Sequence, residues 1–200
     1  MGGENLRYTL REEIFSDELM ALYAEMDSKI AEFRRATGIE CPSGCGKCCE
    51  NPRLEATVLE FLPLAIRICD KKEDDMWLDV LSRASGGPCA FYVPDTLMPG
   101  NGKCGIYEYR GYICRLFGLF VRPTKAASPE IVACAVLKRS MPELMEKARE
   151  MVASGHDAPV ASHFSMRFLA IDNLLSTRLL PVNAAIKEAI ERVKCSRSYL

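Results

Sequence analysis

Apolar positions along the chain alternate between helical spacing and stretches with no period at all. Leu19, Leu22, Met26, Ile30 and Phe33 recur at three- and four-residue intervals, so a helix is predicted over residues 16–37, with Ser16 as its cap and Gly38 at its end. Thr57-Val-Leu-Glu60 has the form of a capping box and opens a second helix reaching about Cys69. Pro63 lies inside it, so this helix is expected to start late or bend. A short amphipathic helix over 74–84 is predicted to turn Met76, Trp77, Val80 and Leu81 inward and to stop at Gly86-Gly87-Pro88. Three further helices are predicted over 142–153, 162–180 and 181–193, with Ser162 as a cap and Pro181 at a first helical position.

Two regions break the helical pattern. Residues 41–50, CPSGCGKCCE, crowd four cysteines among Pro42, Gly44 and Gly46, and residues 89–135 mix proline, glycine, aromatic residues and four more cysteines. The second region reads as loops with a few short strands, held by something other than regular secondary structure. The expected fold is a mostly α single domain over 1–200. Its helices enclose an irregular cysteine-rich metal-binding segment at about 41–134 with a few short strands, followed by a helical part at about 142–194.

Composition narrows the function classes. Two hundred residues with 48% apolar and 26% charged composition make a globular chain able to bury a core. Twenty-six basic against 27 acidic residues leave a formal charge of −1, which argues against a protein built to bind nucleic acid or anionic membrane. MGGENLRYTLREE lacks the apolar centre of a signal peptide, and Leu6 stands where a myristoylation signal needs Ser or Thr. No apolar run approaches the roughly 20 residues that span a bilayer. A cytoplasmic location is therefore expected, where thiols stay reduced and ten cysteines do not form a disulfide framework.

Thiolates are soft ligands, suited to zinc or iron–sulfur clusters, and a bound metal would also help to hold the irregular region together. Cys41, Cys45 and Cys48 follow C-x3-C-x2-C, a spacing that leans towards a cluster cradle. The same spacing occurs in radical S-adenosylmethionine enzymes, but their alternating strands and helices are missing here. Cys41, Cys45, Cys48, Cys49, Cys89, Cys104, Cys114 and Cys134 are the candidate metal ligands, enough for two sets of four. Neighbouring side chains diverge, so the Cys48-Cys49 doublet leaves open whether it serves one centre, two centres or one centre and a free thiol. Cys69 continues the apolar face of Leu62 and Ile66 and reads as a buried small hydrophobe, while Cys195 is placed in a frayed tail.

CPSGCGKCC, Cys89, Cys104-Gly-Ile-Tyr107-Glu-Tyr-Arg110 and Cys114-Arg115-Leu-Phe117, taken together, resemble the CxxCxxCC (YkgJ-like) family of zinc- or iron-chelating proteins. The resemblance covers about 41–134. It departs in the first gap, which holds three residues instead of two, and at Gly111, where the family's signature has proline. It implies a metal-binding protein whose role is structural or redox, and one branch of the family, the flagellin lysine N-methylases, is associated with methyl transfer and an iron–sulfur cluster. At this length the chain is expected to lack that branch's additional regions. Methyl transfer is thus the alternative reading.

Other polar residues are weighed against that frame. Arg110 and Arg115 flank Cys114 and could offset the surplus negative charge of a tetrathiolate centre by donating N–H groups to its sulfurs; otherwise they are solvated surface arginines. Tyr107 either packs beside the site or is an ordinary aromatic, and Lys47 either meets the cluster's charge or faces water. His156 and His163 have no cysteine near them in sequence and are weak ligand candidates. No nucleophile elbow, P-loop or glycine fingerprint is present.

Overall fold

The computed structural model describes residues 11–98, 100–123 and 129–198. The N-terminal reading up to Leu10, including Gly2 and Leu6, lies outside the described residues. In chain order the elements are α1 (Arg11–Thr37), α2 (Lys47–Glu50), β1 (Glu55–Ala56), a 3-10 turn (Leu59–Phe61), α3 (Leu62–Asp70) and α4 (Asp74–Arg83). There follow β2 (Tyr92–Pro94), β3 (Gly102–Cys104), a second 3-10 turn (Tyr107–Tyr109), α5 (Tyr112–Leu116), β4 (Gly118–Pro123) and β5 (Pro129–Ala133). The chain closes with α6 (Ala135–Ser140), α7 (Pro142–Ala153), α8 (Ala161–Ile171), β6 (Leu180–Pro181) and α9 (Val182–Arg197).

The main core forms where α9 packs on α3 and α4, and α1 packs on α3 and α8. Leu19, Leu22 and Met26 of α1 meet Leu62, Ala65 and Ile68 of α3 and the apolar face of α9, namely Val182, Ala185, Ile186, Ala189, Ile190 and Val193. A second core cluster joins Phe33 and Ile39 to Leu119, Ile131, Leu137 and Met145, beneath the β4–β5 hairpin.

Three two-stranded antiparallel sheets provide the β structure among the described residues. The β2–β3 hairpin pairs Tyr92 with Cys104 and Val93 with Lys103. The β4–β5 pair matches Phe120 with Val132 and Val121 with Ile131, with an irregularity between Gly118 and Phe120 where Leu119 takes a φ of 99°. The short β1 and β6 pair Ala56 with Leu180 and tie the middle of the chain to the start of α9.

The mostly helical expectation with a few short strands holds. The helix over 142–153 appears with the expected bounds, and α4 departs by one residue. Several details are corrected. Ser16 is buried inside α1, which already runs from Arg11, so it is not a cap. On α4 only Leu81 is fully buried; Met76 and Val80 are exposed, and Trp77 is half-buried with its ring stacked on Phe91 at 4.1 Å. The predicted helix over 162–180 ends at Ile171, where the buried Asp172 side chain accepts the Leu175 N–H and starts a turn. Pro181 precedes α9 as its N-cap, and Cys195 lies on the last turn of that helix, exposed and outside the lining of the cysteine cavity described below.

The region 89–135 contains far more regular structure than its sequence suggests, including two hairpins and α5, and it is anchored from outside. Asn183 of α9 is buried, accepts the Ala90 N–H (2.8 Å), and donates to the carbonyls of Ala84 (2.8 Å) and Pro88 (2.9 Å). Glu60 accepts the N–H groups of Thr57 (2.8 Å) and Ile113 (2.7 Å), so the reach-back half of the capping box forms and also pins α5. Pro63 sits at the second position of α3, which accordingly starts late, after the 3-10 turn.

Candidate metal centre

The loop 41–46 folds as a turn in which the Cys45 N–H donates to the Pro42 carbonyl (3.1 Å) and Gly44 takes a φ of 71°. One helical turn, α2, then carries Cys48 and Cys49. The Gly102 N–H donates to the Gly44 carbonyl (2.7 Å) and the Cys89 N–H to the Cys49 carbonyl (3.0 Å), which lays the first cysteine loop against the second region. The Tyr92 ring is clasped between Gly46 and Gly102: a Cβ on Gly46 would come within 2.2 Å of the ring, and one on Gly102 within 2.3 Å. Only glycine at both positions lets the two strands of chain close over the ring.

These contacts form a cavity of about 380 Å³ lined by Cys41, Cys45, Cys48, Cys49, Cys104, Cys114 and Cys134. Seven of the eight cysteines singled out in the sequence thus face one space, although up to 93 residues separate them along the chain. Cys89 is buried behind it, in the electrostatic neighbourhood of Cys104 and Cys48. Cys69 packs half-buried against the main core instead. His156 lines a separate small cavity with Lys29, Glu32 and Phe33, and His163 is exposed on α8. All ten cysteines are free thiols.

The thiols are not electrostatically equivalent. Cys49 is hydrogen-bonded to Cys104 and Cys48, and those bonds, with burial, push its thiol well up so that it keeps its proton. The same bonds, aided by backbone N–H groups and the Arg110 charge and opposed by burial, bring the Cys48 and Cys104 thiols down. Burial pushes Cys114 well up and Cys89 up to about 11. Cys41 is raised by burial and by the neighbouring Cys45, Cys134 and Cys48, while Arg34 pulls it back. The Cys48 thiol bears electrostatically on Cys41, Cys49, Cys89, Cys104 and Cys114. Cys134 caps α6, its sulfur accepting the Leu137 N–H at 3.5 Å.

The polar candidates part company. Arg110 lines the cavity, with its guanidinium held by Asp27 of α1 (2.7 Å) and lying 4.1 Å over the Tyr107 ring, which is exposed at the rim. Arg115 faces elsewhere. It is fully buried, bonds to Asp27 (3.1 Å) and to the Arg110 and Glu108 carbonyls, and covers the Tyr23 ring at 4.1 Å. Lys47 lies on the rim and pairs with Glu50 at 2.6 Å. Two residues that the motif reading passed over, Asp27 and Arg34, come from α1. They sit seven apart, two helical turns, beside the buried stripe of Met26, Ile30 and Phe33, and that spacing of opposite charges was the available signal.

Comparison with known proteins bears on the same stretch. Residues 40–137 match the CxxCxxCC family, described as a "putative zinc- or iron-chelating domain". The CxxCxxCC match therefore takes in every cavity cysteine and leaves α1, α7, α8 and α9 outside it. No curated protein and no solved structure matches the chain.

Whether the cavity suits the group that the CxxCxxCC description names turns on donors and charge. Among the described residues, no three or more His, Cys, Asp and Glu side chains are arranged to hold a metal ion. The thiols ring the cavity without converging on one point, so the expected metal-binding segment is present as a gathering of thiols and not as a formed coordination shell. The donor chemistry nevertheless fits, since soft sulfur predominates among the possible ligands. Charge fits as well: Arg34 and Arg110, both lining the cavity, each bury an Nε–H with no acceptor among the described residues. Among the described residues no helix is long and apolar enough to cross a membrane.

Proposed function

We propose that this protein is a cytoplasmic metal-binding protein in which Cys41, Cys45, Cys48, Cys49, Cys89, Cys104, Cys114 and Cys134 supply the thiolates for an iron–sulfur cluster or zinc, in a structural or redox role. The observation that carries the reading is the single cavity lined by seven cysteines from two distant stretches of chain. A structural hydrophobic role accounts poorly for them, because Cys41 is exposed and five of the others are only half-buried. The loops 41–46 and 100–104 have glycine-rich backbones that can draw the sulfurs inward when a metal binds, so ligand closure and metal binding are coupled. Such a centre supplies cross-linking of the two cysteine stretches and, if iron–sulfur, an electron-carrying group.

Anaerobic purification followed by elemental analysis and a visible spectrum tests this. A broad charge-transfer band with stoichiometric iron and sulfide identifies a cluster; colourless protein with stoichiometric zinc identifies zinc. Cys45→Ser and Cys114→Ser are expected to lose metal, and Cys195→Ser to keep it. A folded, metal-free protein with ten titratable thiols, unable to take up either metal, overturns the reading.

A further inference from the structure

Two buried donors in the cysteine cavity have no acceptor among the described residues. Arg34 enters from the last turns of α1, and Arg110 from the bend between the second 3-10 turn and α5. In each the Nε–H is buried and unpartnered. An unsatisfied buried donor is costly, more so on a charged group, so two in one cavity point to a partner that completes them.

Their placement says what that partner is. Both line the same cavity as the thiols, where the Arg34 charge bears on Cys41 and the Arg110 charge on Cys48 and Cys104. Arg110 cannot turn away, because Asp27 holds one terminal nitrogen at 2.7 Å and the Tyr107 ring lies against its face. Asp27 neutralises part of the charge of Arg110 and Arg115 together, whereas Arg34 has no ion pair among the described residues. Four thiolates around a divalent ion, or around an oxidised cubane, carry about two surplus negative charges, and a guanidinium N–H is a good donor to sulfur.

We propose that Arg34 and Arg110, not Arg110 and Arg115, are the charge-compensating pair, their Nε–H groups donating to the sulfurs of a thiolate-bound metal centre in this cavity. This rests on the metal-binding reading above. Arg115 has the structural role instead, tying α5 to α1 through Asp27. The arginines act through the sulfurs and touch no metal; they are positioning residues whose loss weakens metal binding without removing a ligand.

The test is Zn²⁺ affinity of the full chain, prepared metal-free under anaerobic conditions, by competition with a chromophoric chelator. Arg34→Gln and Arg110→Gln are each expected to weaken Zn²⁺ roughly tenfold at unchanged stoichiometry, in line with the loss of groups that orient metal ligands. Arg34→Lys, which keeps the charge but lacks the Nε–H, should fall between wild type and Arg34→Gln. Arg34→Gln carries the decision, since that side chain has no ion pair to lose, and its metal-free melting temperature should match wild type. Wild-type affinity in both glutamine variants overturns the arginine pair while leaving the thiol site standing. A wild-type chain that takes up neither Zn²⁺ nor iron overturns the metal reading and this inference with it.

Discussion

Gly111 stands where the family signature has proline, and its surroundings explain why proline would not fit. Its φ of −64° suits proline, but a Cβ there would lie 2.8 Å from Glu60 Oε2 and 2.9 Å from Phe61 Cζ. Glu60 cannot yield, because it is buried and held by the Thr57 and Ile113 N–H groups. Gly111→Pro is therefore expected to destabilise by about 1–3 kcal/mol, an overpacking cost measurable by urea denaturation. Burial also pushes the Glu60 carboxyl up to about 7, its three hydrogen bonds opposing the rise. A carboxyl raised on folding binds more protons folded than unfolded between about pH 4.5 and 7, so its contribution to stability falls as pH rises through that window. Tyr23, Tyr112 and Cys114 surround it, and none of them carries a positive charge to reverse the sign. Wild type should gain stability relative to Glu60→Gln as pH drops from 7 to 5, by about 2 kcal/mol, read from paired urea melts. A difference that is constant with pH would contradict it. Tyr92 tests the packing behind two glycines that line the cavity: Gly102→Ala should force the ring out of place and lower both the melting temperature and metal capacity.

At the scale of elements, α9 holds the second cysteine region in position through one side chain. Asn183 satisfies three backbone groups of residues 84–90 while itself buried, and the chain between those groups leads directly into Cys89. Asn183→Ala leaves the Ala90 N–H and two carbonyls without partners, and a loss of about 2–4 kcal/mol is expected, with faster amide exchange across 84–91. Unchanged exchange there would mean that the stretch is held by other contacts. Helix α1 does comparable work from the other side, since Asp27 and Arg34 reach the cavity from a helix whose apolar stripe is already buried in both core clusters. Helix bodies were legible from spacing, and α7 emerged with its predicted bounds, because that pattern is local. Helix ends were less so: a serine at the expected start of α1 lies inside a longer helix, and the turn at Asp172 depends on its side chain accepting the Leu175 N–H, which no periodicity reports.

For the molecule as a whole, the matched span 40–137 is smaller than the folding unit. Its apolar residues Leu59, Leu62, Ala65, Ile68 and Leu81 are covered by α1 and α9, which lie outside that span. A fragment of residues 40–137 is expected to expose that face and aggregate or remain molten, with helical far-ultraviolet but little near-ultraviolet circular dichroism. A cooperatively melting fragment would show that the cysteine region folds by itself. The sequence alone determined the mostly helical character, the two cysteine-rich stretches and the soft-ligand chemistry, because periodicity, turn residues and thiols are properties of neighbouring positions. Tertiary structure decided which thiols share a space, that Cys48 lies among them, and that Arg34 lines the cavity where Arg115 does not. Those outcomes hang on contacts between residues far apart in the chain, such as Asp27 with Arg110 or Asn183 with Ala90. Such contacts exist only once the helices have packed.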